Sequence, residues 1–204
     1  MKKGNVAVLL SGRGSNFAAI VRASEARGAN FAVRMAISDN KGAPGLEKAA
    51  RSHIPAYHVD PRQFPDKASY EERICALLER QHIDLVCLAG YMRLVGPVLL
   101  SRYPGRILNI HPALLPSFPG LDAQAQALRH GVKISGCTVH FVDAGTDTGP
   151  IAAQRTVAVR GTDDEATLAR RILRQEHRLY PWVISQFFAG RLQIRGRTVI
   201  IKDE

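Results

Sequence analysis

Residues 84–90, Asp-Leu-Val-Cys-Leu-Ala-Gly, are apolar at nearly every position, so a strand built from them has no face to offer water. Such a run needs cover on both sides, which a parallel sheet flanked by helices supplies. The neighbouring segments agree. Strand-like stretches at 6–11, 31–38, 56–59 and 106–109 alternate with helical stretches at 15–27, 45–52, 67–81 and 97–101. Pro44 is well placed to open a helix. Ile74, Leu77 and Leu78 give 67–81 one apolar stripe among charges. This rhythm predicts an α/β class, Rossmann-like, with an open, mostly parallel sheet and helices on both faces.

After residue 109 the rhythm changes. Stretches 134–142 and 150–159 are strand-like, and the loop between them is too short for a helical crossover, so this pair should be antiparallel. Thr162 followed by Glu165 reads as a capping box. It opens a helix expected to run to about 176, break near Pro181 and resume to 189. Stretches 192–195 and 198–201 flank Gly196 as a hairpin. With no repeat, low-complexity stretch or linker, residues 1–204 are expected to form a single domain.

The formal charge is +10. The basic residues are scattered, and Arg170, Arg171, Arg174 and Arg178 fall at helical spacing among acids, as a solvated face does. No aromatics are interleaved for base stacking, so small anionic substrates are expected and nucleic acid is not. Cys75, Cys87 and Cys137 are far apart in apolar segments, which predicts buried thiols and neither zinc nor disulfides. No apolar run approaches the ~20 residues of a membrane span. The apolar start at 6–11 is short for a signal peptide, so a cytoplasmic chain with no membrane partner is expected.

Two clusters carry chemistry. Ser11-Gly12-Arg13-Gly14-Ser15-Asn16 joins the first strand to the first helix. It suits a tight turn, a monophosphate site on Gly14, Ser15 and Asn16 at a helix N-terminus, or an incomplete nicotinamide site with Phe17 at the third glycine position. The second cluster is Asn109, His111 and Asp147. Asn109 and His111 leave the carboxyl end of a strand, where open α/β sheets hold ligands. They lie two residues apart, on one strand face. Asp147 sits in a Gly/Thr-rich loop. An amide donor, an imidazole and a carboxylate together suit acyl transfer through a charge-developing intermediate. His140 alternates toward the same side or serves as a satisfied sheet histidine; both readings stand.

Gly12-x-Gly14-Ser15-Asn16, Leu88-Ala89-Gly90-Tyr91-Met92-Arg93, the run from Asn109-Ile110-His111-Pro112 to Pro119-Gly120, Asp147-x-Gly149-Pro150 and Gln175-Glu176-His177…Tyr180-Pro181 are joined in one chain. Together they resemble the phosphoribosylglycinamide formyltransferase family of folate-dependent enzymes. The resemblance implies a formyltransferase fold over the whole domain and formyl transfer from 10-formyltetrahydrofolate as co-substrate, with no metal and no nicotinamide. It implies small-molecule partners and a monomer or homodimer.

Position by position, the resemblance implies that Gly14, Ser15 and Asn16 bind the ribonucleotide phosphate, and that Leu173, Arg174, Gln175 and Glu176 meet its glycinamide or ribose end. Lys67, Met92, Arg93, Leu94, Val95, Asn109 and the loop Asp143, Ala144, Gly145, Thr146, Asp147 would contact the folate. Asn109, His111 and Asp147 would be catalytic. Asp122-Ala123-Gln124 stands where histidines are common in the family, and Thr146 where Leu is frequent.

In that chemistry Asn109 donates to the oxyanion and a protonated His111 adds a second donor. Asp147 is expected to favour the imidazolium. Methionyl-tRNA formyltransferase and formyltetrahydrofolate hydrolase share the central block. The first carries a further C-terminal domain and the second an N-terminal one, for which the chain leaves little room on this reading.

Overall fold

The computed structural model describes residues 3–202. Contacts group the chain into two compact units, one ending at Asn109 and one beginning at Ile110.

In the first unit β1 (Gly4–Leu10), β2 (Phe31–Ser38), β3 (Ala56–His58), β4 (Leu85–Leu88) and the start of β5 (Ile107–His111) lie in the order β3-β2-β1-β4-β5. All four pairings are parallel. The helices α1 (Ser15–Glu25), α2 (Pro44–Arg51), α3 (Lys67–Arg80) and α4 (Pro97–Arg102) fill the crossovers. Leu85, Val86, Cys87 and Leu88 are all buried, as a two-sided apolar run requires. Each large side chain so buried contributes about 1.5–3 kcal/mol. The strand itself is shorter than the apolar run, because Gly90 takes a positive φ and turns the chain out of the sheet.

In the second unit β6 (Ile134–Phe141) and β7 (Ile151–Ala158) are antiparallel, as the short loop dictates. The hairpin β8 (Leu192–Arg195) and β9 (Thr198–Ile201) forms at the expected residues, and β9 joins β7 in parallel through Thr198 and Ile151. Helix α6 (Glu165–Phe188) packs on β6 and β7, with the short α5 (Ala123–Arg129) beside it.

Two expectations for α6 are corrected. The capping box is built by Asp164 and Thr167, not by Thr162 and Glu165: the Asp164 carboxylate accepts the Thr167 N–H, and the Thr167 hydroxyl oxygen accepts the Asp164 N–H. Asp163 is diverted to a bidentate pair with Arg171, both contacts at 2.7 Å, which also removes Arg171 from the expected solvated face. The helix does not break at Pro181. Tyr180, Pro181, Val183 and Ile184 are all buried, and that burial outweighs the ~3 kcal/mol that an interior proline costs a helix.

Cys75, Cys87 and Cys137 are buried free thiols. Burial pushes the Cys75 thiol up to about 11 and the Cys137 thiol to about 12. No described helix is long and apolar enough to cross a membrane.

Candidate active site

The second unit brings three titratable side chains together. Asp147 Oδ2 lies 3.3 Å from His111 Nδ1, and its Oδ1 lies 3.5 Å from His140 Nε2. Both imidazoles are buried and come from strand ends, His111 closing β5 and His140 on β6. Asp147 holds a left-handed backbone with φ 55°, a strained choice for a residue with a side chain, and it turns the carboxylate inward. Its Oδ2 also accepts the Gly120 N–H at 2.8 Å.

The loop carrying Asp147 is tied down on both sides. Asp143 Oδ1 accepts the Gly145 N–H and the Thr148 hydroxyl, and Arg197 donates to the Thr148 carbonyl. Gly149 passes so close to β6 that a Cβ there would fall 1.8 Å from the Phe141 carbonyl oxygen. Only glycine fits that approach.

Each ring has one nitrogen on a main-chain carbonyl. His111 Nε2 donates to Phe118 O at 2.7 Å, and His140 Nδ1 donates to Phe141 O at 2.9 Å. A neutral His111 has a single N–H, which the Phe118 carbonyl assigns to Nε2, so its Nδ1 faces Asp147 with a lone pair. His111 makes a second hydrogen bond, to Asp147, by taking up a proton. The His111–Asp147 pair is therefore a proton acceptor.

The charge balance sharpens this. Burial pulls His111 below its ordinary value and outweighs the opposing pull of Asp147 and of the Phe118 carbonyl. The expected imidazolium is thus corrected: Asp147 favours it, but desolvation wins and the resting ring is neutral. For Asp147, burial acts upward, but the His140 contact, the Gly120 N–H and the nearby rings hold it below the usual carboxylate range. The resting state pairs an ionised acid with an uncharged His111.

The loop leading from His111 is fixed by Thr138. Its buried hydroxyl donates to Ala113 O at 2.7 Å and accepts the Leu115 N–H at 3.0 Å and Gln154 Nε2 at 2.9 Å. Sequence reasoning does not single out Thr138, Phe118 or Gly120, because main-chain partners leave no residue-type signature. Asn109 lies two residues before His111 on β5, half-buried, in register with Leu88 of β4.

The expected phosphate residues form the N-terminus of α1. Gly14 is its N-cap at φ 65°, and a Cβ there would fall 2.6 Å from Gly45 Cα. Ser15 and Asn16 supply the first turn, the positive end of the helix dipole, which favours an anion. Gly12 O accepts the Gly45 N–H and Arg13 O accepts Lys48 Nζ, which fixes the turn against α2. In the second unit Leu173, Arg174, Gln175 and Glu176 lie in the middle of α6, with Glu176 buried.

Of the expected folate residues, Lys67, Met92, Arg93 and Leu94 line one cavity of about 320 Å³, together with Tyr70. Val95 is buried and outside that lining. Ser11 Oγ accepts the Met92 N–H at 2.9 Å, so the loops after β1 and β4 brace each other at the carboxyl ends of adjacent parallel strands.

A model of the formyl transferase family matches residues 4–184. The phosphoribosylglycinamide formyltransferase of Bacillus subtilis (strain 168) is 45% identical over 186 residues, 91% of this chain and 94% of that protein. The crystal structure of glycinamide ribonucleotide transformylase 1 from Symbiobacterium toebii is similar with a TM-score of 0.97 at 49% identity, covering 98% of this chain and 95% of that one. The trifunctional purine biosynthetic protein adenosine-3 of Homo sapiens is 38% identical over 205 residues, 100% of this chain but 20% of its own length. The buried imidazoles and the carboxylate between them thus stand in a chain that belongs, over most of its length, to the formyl transferase family.

Proposed function

We propose that the chain transfers the formyl group of 10-formyltetrahydrofolate to the amine of glycinamide ribonucleotide, giving formylglycinamide ribonucleotide and tetrahydrofolate in purine synthesis. The observation that carries the reading is Asp147 between His111 and His140, in a chain this similar to named transformylases.

The uncharged amine nitrogen attacks the formyl carbon, and the carbonyl oxygen becomes an oxyanion. The Asn109 side-chain NH2 donates to it. The His111 Nε2–H, which now meets the Phe118 carbonyl, is the donor that the oxyanion takes over. The C–N10 bond breaks as the new C–N bond stands, and the proton lost by the amine must reach N10. Neutral His111 and ionised Asp147 are suited to hold that proton in transit. Gly14, Ser15 and Asn16 bind the phosphate at the α1 N-terminus, and residues 173–176 meet the rest of the ribonucleotide. Lys67, residues 92–95, Asn109 and residues 143–147 hold the folate.

Residues 1–204 act as a single formyltransferase domain, which the family match running from 4 to 184 supports. The protein works in the cytoplasm on small-molecule substrates, as a monomer or homodimer, without a metal, a nicotinamide, nucleic acid or a membrane partner.

The test offers the formyl donor with glycinamide ribonucleotide, tRNA or water alone as acceptor. Tetrahydrofolate should form only with the ribonucleotide. Equal turnover to water, or transfer to tRNA, would replace the proposal.

A further inference from the structure

We infer that Glu71 is a positioning residue that shapes the folate-binding loop from outside it. Its carboxylate is buried at 3% exposure and lies across from the start of α4. It accepts the Gly96 N–H through Oε1 and the Leu99 N–H through Oε2, the latter at 3.2 Å. Gly96 is the N-cap of α4 and Leu99 its third residue. In a capping box those two N–H groups are satisfied by side chains of the helix itself. Gly96 has no side chain, and Glu71 serves both donors from another helix.

Gly96 is fitted to this contact. A Cβ there would fall 2.7 and 2.8 Å from the two Glu71 oxygens and 2.7 Å from Lys67 Cε. The other end of the loop is held by the same helix. Lys67, Tyr70 and Glu71 are spaced i, i+3 and i+4 on α3, so they share one face. The Tyr70 and Tyr91 hydroxyls are 2.6 Å apart, and the Arg93 guanidinium stacks 5.5 Å over the Tyr70 ring.

Residues 91–96 are therefore fastened to α3 at Tyr91 and at Gly96. Between the fastenings Met92 and Leu94 are 65% and 63% exposed. An unrestrained loop would turn such apolar side chains away from water. Held at both ends, this one keeps them on the cavity that Lys67, Tyr70 and Arg93 complete.

This inference rests on the proposed folate role of that cavity and makes one kinetic demand. Glu71 touches no reacting atom, so its loss should act on folate binding and leave the ribonucleotide and the chemical step alone. Glu71→Ala should raise KM for 10-formyltetrahydrofolate by about 10–100-fold, the worth of leaving a buried N–H without its acceptor. KM for glycinamide ribonucleotide and kcat should stay within about 3-fold of the parent.

Glu71→Gln keeps one acceptor and should recover a large part of the loss; it also serves if the alanine variant does not fold. Hydrogen exchange at the Gly96 and Leu99 amides should quicken in both variants, by more in alanine. Binding of tetrahydrofolate to the parent enzyme is measured in parallel. If the parent fails to bind it, the folate reading of the cavity falls. If the parent binds and the variants match it, or if both Michaelis constants rise together, the positioning role falls and that reading survives.

Discussion

Replacing Asp147 by asparagine removes one charge while keeping size, shape and an oxygen able to accept the Gly120 N–H. The structure states what that charge does to His111. At 3.3 Å, a carboxylate stabilises an imidazolium by about 5 kcal/mol at an effective dielectric of 20 and by about 1 kcal/mol in bulk water. Loss of that interaction removes a pull that raises the His111 midpoint, so the midpoint should fall. Because burial already holds His111 below its ordinary value, its ring in the Asp147→Asn variant should stay neutral further into acid.

The assay is a two-bond proton–nitrogen NMR titration of the ring nitrogens, with His111→Gln and His140→Gln used to assign the signals. In the parent the His111 midpoint should lie below about 6.5, and in the variant lower again. Turnover should fall by about 10²–10⁴-fold if the trio moves the proton as proposed. A midpoint unchanged within about 0.3 unit, or one that rises, would show that the Asp147 charge does not govern His111.

Three further outcomes are expected. Both depressed groups tilt stability the same way: the unfolded chain takes up protons first, at His111 as pH drops below about 6.5 and at Asp147 below about 3.9. The melting temperature should thus fall from neutral pH into acid, and His111→Gln should flatten the upper part of the slope; an unaltered slope would contradict this. Thr138→Val strands the Ala113 carbonyl and the Leu115 N–H in a dry site. It should cost about 2–4 kcal/mol, read as a Tm drop of about 5–15 °C by calorimetry, whereas a drop under about 2 °C would mean the loop finds other partners. With a net charge of +10 and anionic substrates, KM for both should rise with salt, and a flat response in steady-state assays would leave the charge without a kinetic role.

The elements most legible in the sequence are those whose cause is local. The apolar run at 84–90 requires a sheet covered on both faces, and the short 143–149 loop requires an antiparallel pair. His111 and Asp147 can be paired because both belong to motifs that resemble a known family, and they meet at 3.3 Å. What stays hidden depends on distant partners. Pro181 reads as a break until the burial of its neighbours is known. The protonation of His111 escapes for the same reason: the sequence shows the carboxylate that would charge the ring, whereas the burial that prevents it belongs to the folded state. Glu71 reads as one more acid on a helix surface, since the N–H groups it serves are 25 and 28 residues away.

The three sulfhydryls sit at 0% exposure, and two of them titrate near the alkaline limit. Alkylating dyes react through the thiolate and need access, so they should pass the native enzyme by. A fluorophore can therefore be attached through a single engineered cysteine, for instance Leu121→Cys at a position 72% exposed, without first stripping the interior of its own sulfur. Motion of the segment around Gly120, whose N–H meets Asp147, could then be followed by emission while the enzyme turns over.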